Sequence, residues 1–352
     1  MSSNKNITFK RNGGKIKCLV WDLDNTLWKG ILLENDNVKV KSIVKDIIKT
    51  LDSRGILQSI ASKNEHSIAM EKLKEEKLDE YFLYPQINWN SKSHSVKTIA
   101  KNLNIGLNSL AFIDDQEFER EEVKYTHPEV LCIDANQLYL VPAMPELIPR
   151  FITDDSKIRR QLYLSEMKRK DAEELGEFTN EEFLASLNME MRIHKPEETD
   201  LKRAEELTER TNQLNTTGNT YSFDELHDLL ESDNHILLIS ELKDKFGTYG
   251  KIGLTLVEKN GDSWTIKLFL LSCRVMNRGV GNVLISFLLN LAKQNNVKLF
   301  AEFLPTDRNR IMYVSYKFTG FKEVGNKGDI IIMGHDLKQI APYPEFIKLD
   351  TF

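Results

Sequence analysis

The densest run of chemically capable residues is Asp22-Leu23-Asp24-Asn25-Thr26, which directly follows an apolar stretch at residues 16–21. A phosphoryl group carries several negative charges, so a carboxylate attacks it only when a divalent cation offsets part of the repulsion. In this pattern Asp22 is the expected nucleophile toward phosphorus and a ligand of Mg²⁺. Asp24, two residues on, is expected to protonate the leaving group and then to activate water against the aspartyl-phosphate. Its backbone carbonyl offers a further oxygen to a hard, octahedral ion. Paired acids in a loop also occur simply as turn or cap residues.

Three further positions narrow the choice. Ser62 follows the apolar run 56–61 and offers a hydroxyl and a backbone N–H to phosphate oxygens, although the same residue suits a helix cap. Lys92 is expected in a short loop before a helix, its ammonium near the nucleophile and the transferring phosphoryl; an arbitrary lysine would be solvated. Lys97 competes less well because it falls inside that helix. Asp114 and Asp115 end the apolar run 110–113 and complete the Mg²⁺ shell, where acids with no counter-charge would repel. Asn25, Thr26, Trp28, Lys63 and Asn64 flank these groups and form the expected substrate-binding set.

Side chains this far apart in sequence meet only if their strands share a sheet edge. Residues 16–22, 56–61, 110–113 and 130–133 read as strands, with helices at 41–54, 66–77 and 95–103; Ser62 or Asn64 is the expected cap of the second helix, and Ser91 or Ser93 of the third. Strands alternating with helices imply a doubly wound α/β sheet that binds ligands at the carboxyl ends of its strands. The stretch between Thr26 and Lys39 is too short for a large inserted cap. An open site under a small flap containing Trp28 would admit a bulky substrate or a protein-tethered acceptor, and Trp28 serves equally well as flap core. Residues 154–177 read as a connecting helix with a solvated, charged face. The second half, from about Asn180, reads as a helix at 201–207, strands at 235–240, 252–258 and 264–271, a glycine-containing turn at 278–281 and an apolar helix at 283–294.

The chain of 352 residues exceeds what one core usually organises. The expected division is a catalytic domain over 1–150, a helical linker over 151–180 and a second domain over 181–352. A composition 41% hydrophobic and 29% charged is that of a globular protein, and a formal net charge of −5 gives no reason to expect a nucleic acid partner. Cys18, Cys132 and Cys273 are widely spaced, which speaks against a disulfide framework or a zinc site. Residues 1–15 have no apolar stretch fit for a signal peptide, and no window approaches the roughly 18 apolar residues of a membrane span. A cytoplasmic protein without a membrane association is the expectation.

Acid, hydroxyl, lysine and acid in this order resemble the haloacid-dehalogenase (HAD) superfamily. The strings KCLVWDLDNTLWKGILLEND, SIASKNE, INWNSKS, LNIGLNSLAFIDD and FEREEV are similar to the FkbH-like family of HAD subfamily IIIC. The likeness continues through FLASLNMEM, RAEELTERTNQLNTTGNTYS, FLLSCRVMNRGVG and RNRIMYVSYKFTGF, nearly to the end of the chain. The resemblance implies an enzyme that loads a glyceryl unit from 1,3-bisphosphoglycerate onto the phosphopantetheine thiol of an acyl carrier protein and removes phosphate, in polyketide or tetronate biosynthesis. It places the catalytic roles on Asp22, Asp24, Ser62 and Lys92, and Mg²⁺ on Asp22, Asp24, Asp114 and Asp115.

Where an enzyme thiol would stand beside the second motif the chain has Ala61-Ser62, and Cys18 lies four residues before Asp22, about 13 Å away at strand rise. Direct transfer to the carrier thiol is therefore expected. Gln116-Glu117-Phe118 stands where Asn-Pro would follow the last acid. The turn RVMNRGVGNVLI resembles the pyrophosphate-binding loop of GCN5-type N-acetyltransferases (GNAT), with Gly279 and Gly281 in the glycine pattern but Met276 in place of Gln or Arg. A GNAT-like α+β fold without acetyl transfer is expected there, holding the carrier or its pantetheine arm. Arg274, Arg278 and Arg308 either meet phosphate or an acidic carrier surface or are solvated. Tyr313 and Tyr316 read as packing residues, and Asn212, Asn215 and Thr216 as a polar run without an evident mechanism. Two other readings remain open: a plain phosphatase with an appended domain, and an interaction protein with a vestigial site.

Overall fold

The computed structural model describes residues 16–34, 38–176, 179–211 and 213–351. Residues 1–15, read above for a targeting segment, and Asn212 lie outside these. The chain forms two compact units, Met1–Leu164 and Ser165–Phe352. Among the described residues no helix is long and apolar enough to cross a membrane.

In the first unit, β1 (Cys18–Trp21) is the middle strand of a parallel sheet. A short hairpin, β2 (Trp28–Lys29) with β3 (Lys39–Val40), follows it. Then come β4 (Leu57–Ser62), β5 (Gln86–Ile87), β6 (Leu110–Asp114) and β7 (Leu131–Asp134), and the sheet order is β5-β4-β1-β6-β7. Every residue of β1 is buried, as expected of a strand covered on both faces, and this is why it reads as an unbroken apolar run. Trp21 pairs with Ile60 on one side and Ile113 on the other, so the chain leaves the three central strands at one level.

Helices α1 (Ser42–Ser53), α2 (His66–Glu75), α3 (Lys92–Leu103) and α4 (Glu117–Thr126) connect the strands. Val44, Ile47, Ile48 and Leu51 of α1 share one face and join Ala69 and Leu73 of α2 in a core with Leu19, Trp21, Ile60 and Ile113. Gly55 turns the chain into β4 at φ +69°, and a Cβ there would come within 2.7 Å of the Ser156 carbonyl oxygen. Among the elements that went unread in the sequence are β5 and α4. The strand β5 is only two residues long, and α4 buries only Glu119 and Val123, too little to show an apolar stripe.

Helices α5 (Asp154–Lys157) and α6 (Arg159–Leu175) occupy the expected connecting segment, and the division between units falls inside α6. The expected solvated face forms at Lys168, Lys170, Asp171, Glu173 and Glu174, but Arg160 and Arg169 of the helix turn inward. Arg160 is buried, pairs with Asp52 at 3.0 Å and Glu80 at 3.1 Å, and lies over the Tyr81 ring. Arg169 is fully buried, makes two bonds to the Asp244 carboxylate at 2.7 and 2.8 Å and stacks 3.7 Å from the Tyr249 ring centre. A guanidinium can be buried when a planar carboxylate meets its fork, a pairing that local sequence does not reveal.

The second unit has α7 (Asn180–Ser186), β8 (Met189–His194), α8 (Glu198–Arg210), α9 (Phe223–Glu231), β9 (His235–Asp244), β10 (Gly247–Asn260) and β11 (Ser263–Leu271). It continues with α10 (Val280–Gln294), β12 (Lys298–Phe303), α11 (Arg310–Phe318), β13 (Lys322–Lys327), β14 (Ile330–His335) and β15 (Ile347–Thr351). The mixed sheet runs β13-β14-β12-β11-β10-β9-β8-β15. Leu268 and Leu270 of β11 face the α8 and α9 side, whereas Phe269 and Leu271 face α10, the period-two alternation of a strand between two cores. The fold class is the expected one: a parallel α/β sheet followed by an α+β unit with a mixed sheet.

Candidate active site

Asp22 is the first residue past β1, and its N–H still bonds the Ile113 carbonyl at 2.9 Å, so its carboxylate sits at the sheet edge beside the end of β6. Lys92 is not in a loop, as the sequence suggested, but is the first residue of α3, whose cap is Ser91 accepting from the His94 N–H. Lys92 is only 3% exposed, and its ammonium reaches Asp22 Oδ1 at 2.5 Å, Asp114 Oδ2 at 2.9 Å and the Ala61 carbonyl at 2.9 Å. All three ammonium protons thus have acceptors. Burial alone would lower the Lys92 pKa, and the charges of Asp22 and Asp114 outweigh it, so the group is held protonated.

Oxygens of Asp22, Asp114 and Asp115 lie within 4.8 Å of one another. One lysine among three acids leaves negative charge uncompensated. The Asp114 carboxyl is pushed up to about 6, by burial first and the Asp22 charge second, with Lys92 opposing. Asp115 is raised for the same two reasons. An all-oxygen set with surplus negative charge at a strand-end cleft fits a hard divalent cation such as Mg²⁺.

Asp24 points elsewhere. Its Oδ1 accepts from the Trp28 indole at 2.7 Å and the Leu32 N–H at 3.1 Å, and its Oδ2 from the Asn64 amide at 3.1 Å. Burial raises its pKa and the Asp22 charge adds to this, while the bonds from Trp28 and Leu32 work against the rise. A carboxyl with an elevated pKa, held by uncharged donors, has the properties of a general acid.

The remaining expected residues serve this frame. Thr26 is fully buried; its hydroxyl accepts from the Asp115 N–H at 3.0 Å and donates to the Asp115 carboxylate at 3.4 Å. Trp28 is likewise fully buried, in the flap hairpin. Asn25 is exposed with φ 54°, and its side chain accepts from the Gly30 N–H at 3.1 Å, which closes the flap turn. Asn64 also accepts from the Glu65 N–H at 2.9 Å. Lys63 pairs with Glu119 at 2.8 Å. Ser62 is buried at the end of β4. Neither Ser62 nor Asn64 caps α2, whose cap position is Glu65 without a side-chain bond.

Three residues near the site were not found in the sequence. Lys41 donates to the Asn25 carbonyl; burial lowers its pKa and the Asp115 charge opposes this. Glu119 is the buried partner of Lys63. Arg120 donates to the carbonyls of Asp114 at 3.0 Å and Asp115 at 2.8 Å and to the Asp134 carboxylate at 2.9 Å, which fixes the loop after β6. Only the charged helix start EFER at 117–120 hinted at the last two. Cys18 is fully buried, and burial drives its thiol pKa far upward; the Cys132 thiol is pushed up to about 11 by burial.

In the second unit Arg278 does not present its guanidinium to a phosphate. It is buried, with Glu166 at 3.5 Å, Glu173 at 3.3 Å and the Phe183 ring beneath it. Arg308 is exposed and Arg274 half-buried. Tyr316 is fully buried against Phe269 and Phe321, and Tyr313 packs on Phe303 and donates to Glu323.

No protein-family model matches the chain, and no curated protein matches it significantly. Among solved structures, the N-terminal part of the protein BF1531 from Bacteroides fragilis, which contains a phosphatase domain and is complexed with Mg, is similar at 28% identity over 38% of this chain, with a TM-score of 0.35. The match spans 41% of that chain, less than half its length. The ribosomal-protein-S18-alanine N-acetyltransferase from Escherichia coli is similar at 15% identity over 43% of this chain and 96% of its own, with a TM-score of 0.34. The PaiA N-acetyltransferase from Thermoplasma acidophilum, in complex with coenzyme A, is similar at 15% identity over 41% of this chain and 98% of its own, with a TM-score of 0.34.

Proposed function

We propose that the first unit is a Mg²⁺-dependent phosphoryl-group enzyme with Asp22 as nucleophile, and that the chain acts as a glyceryl transferase and phosphatase. The supporting observation is the bridge that Lys92 makes between Asp22 and Asp114 while Asp24 is held apart by Trp28, Leu32 and Asn64. This separates a carboxylate bonded to an ammonium from one with a raised pKa, the division of labour that attack and proton transfer require. An Asp22 oxygen bonds to phosphorus as the bond to the leaving oxygen breaks, and Asp24 gives that oxygen its proton. Asp24, now a carboxylate, takes a proton from water as the water oxygen displaces Asp22 from phosphorus. Lys92 sets a positive charge against Asp22 and orients it. Asp22, Asp114 and Asp115 would hold Mg²⁺, with the Asp24 carbonyl as a further oxygen. The ion supplies neutralisation of the phosphoryl charge.

The substrate follows from the resemblance to the FkbH-like family: 1,3-bisphosphoglycerate with a phosphopantetheinylated acyl carrier protein. The carrier thiol, after losing its proton to solvent, attacks the acyl carbon, and the acyl C–O bond breaks with release of phosphate. The phosphate monoester left on the glyceryl thioester then goes to Asp22. Burial of Cys18 and the raised pKa of Cys132 support direct transfer to the carrier without an enzyme thioester. The site geometry alone equally accommodates a plain phosphatase, because nothing in the Asp22 step requires an acyl group.

Incubation with bisphosphoglycerate, Mg²⁺ and pantetheinylated carrier separates these. A carrier heavier by one glyceryl group is the expected result. Phosphate release with an unchanged carrier mass would establish the plain phosphatase, and neither product would leave only an interaction protein.

A further inference from the structure

The polar run around residues 211–219 has a place in the second unit that its composition does not announce. β11 and β12 are parallel neighbours, but their paired register covers only Ser263–Ile266 with Lys298–Ala301. Beyond it the strands part, and residues 267–271 and 302–304 present backbone edges to a gap. An extended arm bearing amides can add to such edges as a strand. The adjoining start of α10 is where a pyrophosphate would meet backbone N–H groups. Coenzyme A has both parts, and a GNAT-like fold implies it.

The residues present do not fit that cofactor. Residues 214–217, from the chain itself, enter the gap and bond to both edges. Asn215 forms an antiparallel bridge with Leu270. The Leu271 N–H donates to the Leu214 carbonyl at 2.8 Å, the Thr216 N–H to the Phe269 carbonyl at 3.1 Å, and the Phe269 N–H to the Thr216 hydroxyl at 3.2 Å. On the opposite edge the Leu304 N–H donates to the Thr216 carbonyl at 2.9 Å.

Asn309, buried at the start of α11, pins the insertion. Its amide donates to the carbonyls of Asn215 at 3.0 Å and Leu304 at 2.9 Å, and its oxygen accepts from the Thr306 N–H at 2.9 Å. The Asn215 side chain accepts from the N–H groups of Thr217 at 3.1 Å and Gly218 at 2.9 Å, which folds the run back out. Asn215, Thr216 and Thr217 are all buried. At the helix start a Cβ on Gly279 would stand 3.3 Å from the Phe346 ring, so that side of the turn is filled, and Arg278 is committed to Glu166 and Glu173.

We infer that residues 214–217 are a built-in replacement for a cofactor arm, and that the gap between β11 and β12 takes up neither coenzyme A nor a carrier's pantetheine. This stands whether or not the first unit performs the chemistry proposed for it. Where that proposal holds, the thiol has to be received outside this gap.

Hydrogen exchange of the full chain, resolved at the amides of Thr216, Phe269, Leu271 and Leu304, tests it with coenzyme A, acetyl-coenzyme A and free pantetheine as probes. Unchanged protection of all four amides at millimolar probe is expected. Altered protection at any of them, saturating with probe concentration, would overturn the inference. The variant Asn309→Ala supplies a second measurement: faster exchange at Thr216 and Leu304 is expected, and wild-type protection there would refute the pinning. If that variant does not fold, the wild-type titration still decides.

Discussion

The Lys92 ammonium stands 2.5 Å from the Asp22 carboxylate across a sequence separation of seventy residues, and both are nearly sealed from solvent. The same ammonium reaches Asp114, so one cation holds two buried acids. Lys92→Ala would leave both without their counter-charge. Breaking a buried pair in this way costs roughly 3–5 kcal/mol. Denaturant unfolding in EDTA should show a loss of that size, and a loss under ~1 kcal/mol, the scale of an exposed pair, would mean that the acids do not depend on it.

Asp22→Asn keeps the shape of the side chain and removes the nucleophilic charge. Phosphate release from a monoester should fall to background with the fold retained by circular dichroism. Asp24→Asn, which removes only proton transfer, should cost about 10²–10⁴-fold. Retained turnover in Asp22→Asn would move the nucleophile elsewhere.

Trp28 has no exposed surface, so its consequence for rate has to come through Asp24. A hydrogen bond to a carboxylate favours the ionised form, and Trp28→Phe therefore raises the Asp24 pKa further. The basic limb of kcat/KM, where the proton donor is lost, should move to higher pH, with a fall of about 10–150-fold at the plateau, corresponding to the ~1.5–3 kcal/mol of a bond to a charged group. A profile with unmoved limbs would make Trp28 flap core and nothing more.

The Asp114 carboxyl, raised from 3.8 to about 6, sets a pH dependence for the metal-free protein. Between those values the folded state keeps a proton that the unfolded chain has released, so this group's contribution to stability is lost as pH rises through the window. In EDTA the thermal midpoint of wild type should therefore fall, relative to Asp114→Asn, between about pH 4 and 6. Mg²⁺ should recover that loss above pH 6. Parallel profiles for the two proteins would count against the assignment.

Thiol chemistry offers an independent check. Native protein treated with iodoacetamide near neutral pH should leave Cys18 unmodified, and labelling of Cys132 should quicken only as pH climbs toward about 11. Phosphate release should survive this treatment. A glyceryl adduct on Cys18 or Cys132 after incubation with bisphosphoglycerate alone would refute direct transfer to the carrier.

Much of the first unit could be read from its residues because its information is local. A strand buried on both faces must be apolar throughout, and a site at its end must break that run with polar groups; Val20-Trp21-Asp22 and Ile113-Asp114 show both. The acids and the serine were therefore visible as strand-end signals, and the lysine by its place near the start of a helix. The partners that set their properties were not. Trp28 and Asn64 meet at Asp24, Arg120 ties the Asp114–Asp115 backbone to Asp134, and Arg169 finds Asp244, all through contacts that no local pattern encodes.

The second unit makes the contrast sharper. Alternation along β11 and the apolar face of α10 could be recognised, and so could the glycine turn between them. Whether that turn and the parting strands leave room for a ligand depended on residues 214–217, some fifty positions upstream of their partners. Local composition determined the elements and the chemical groups at their ends. Backbone pairing at long range decided which ends are open to a ligand and which the chain closes with itself, because a hydrogen-bonding edge accepts any strand that reaches it.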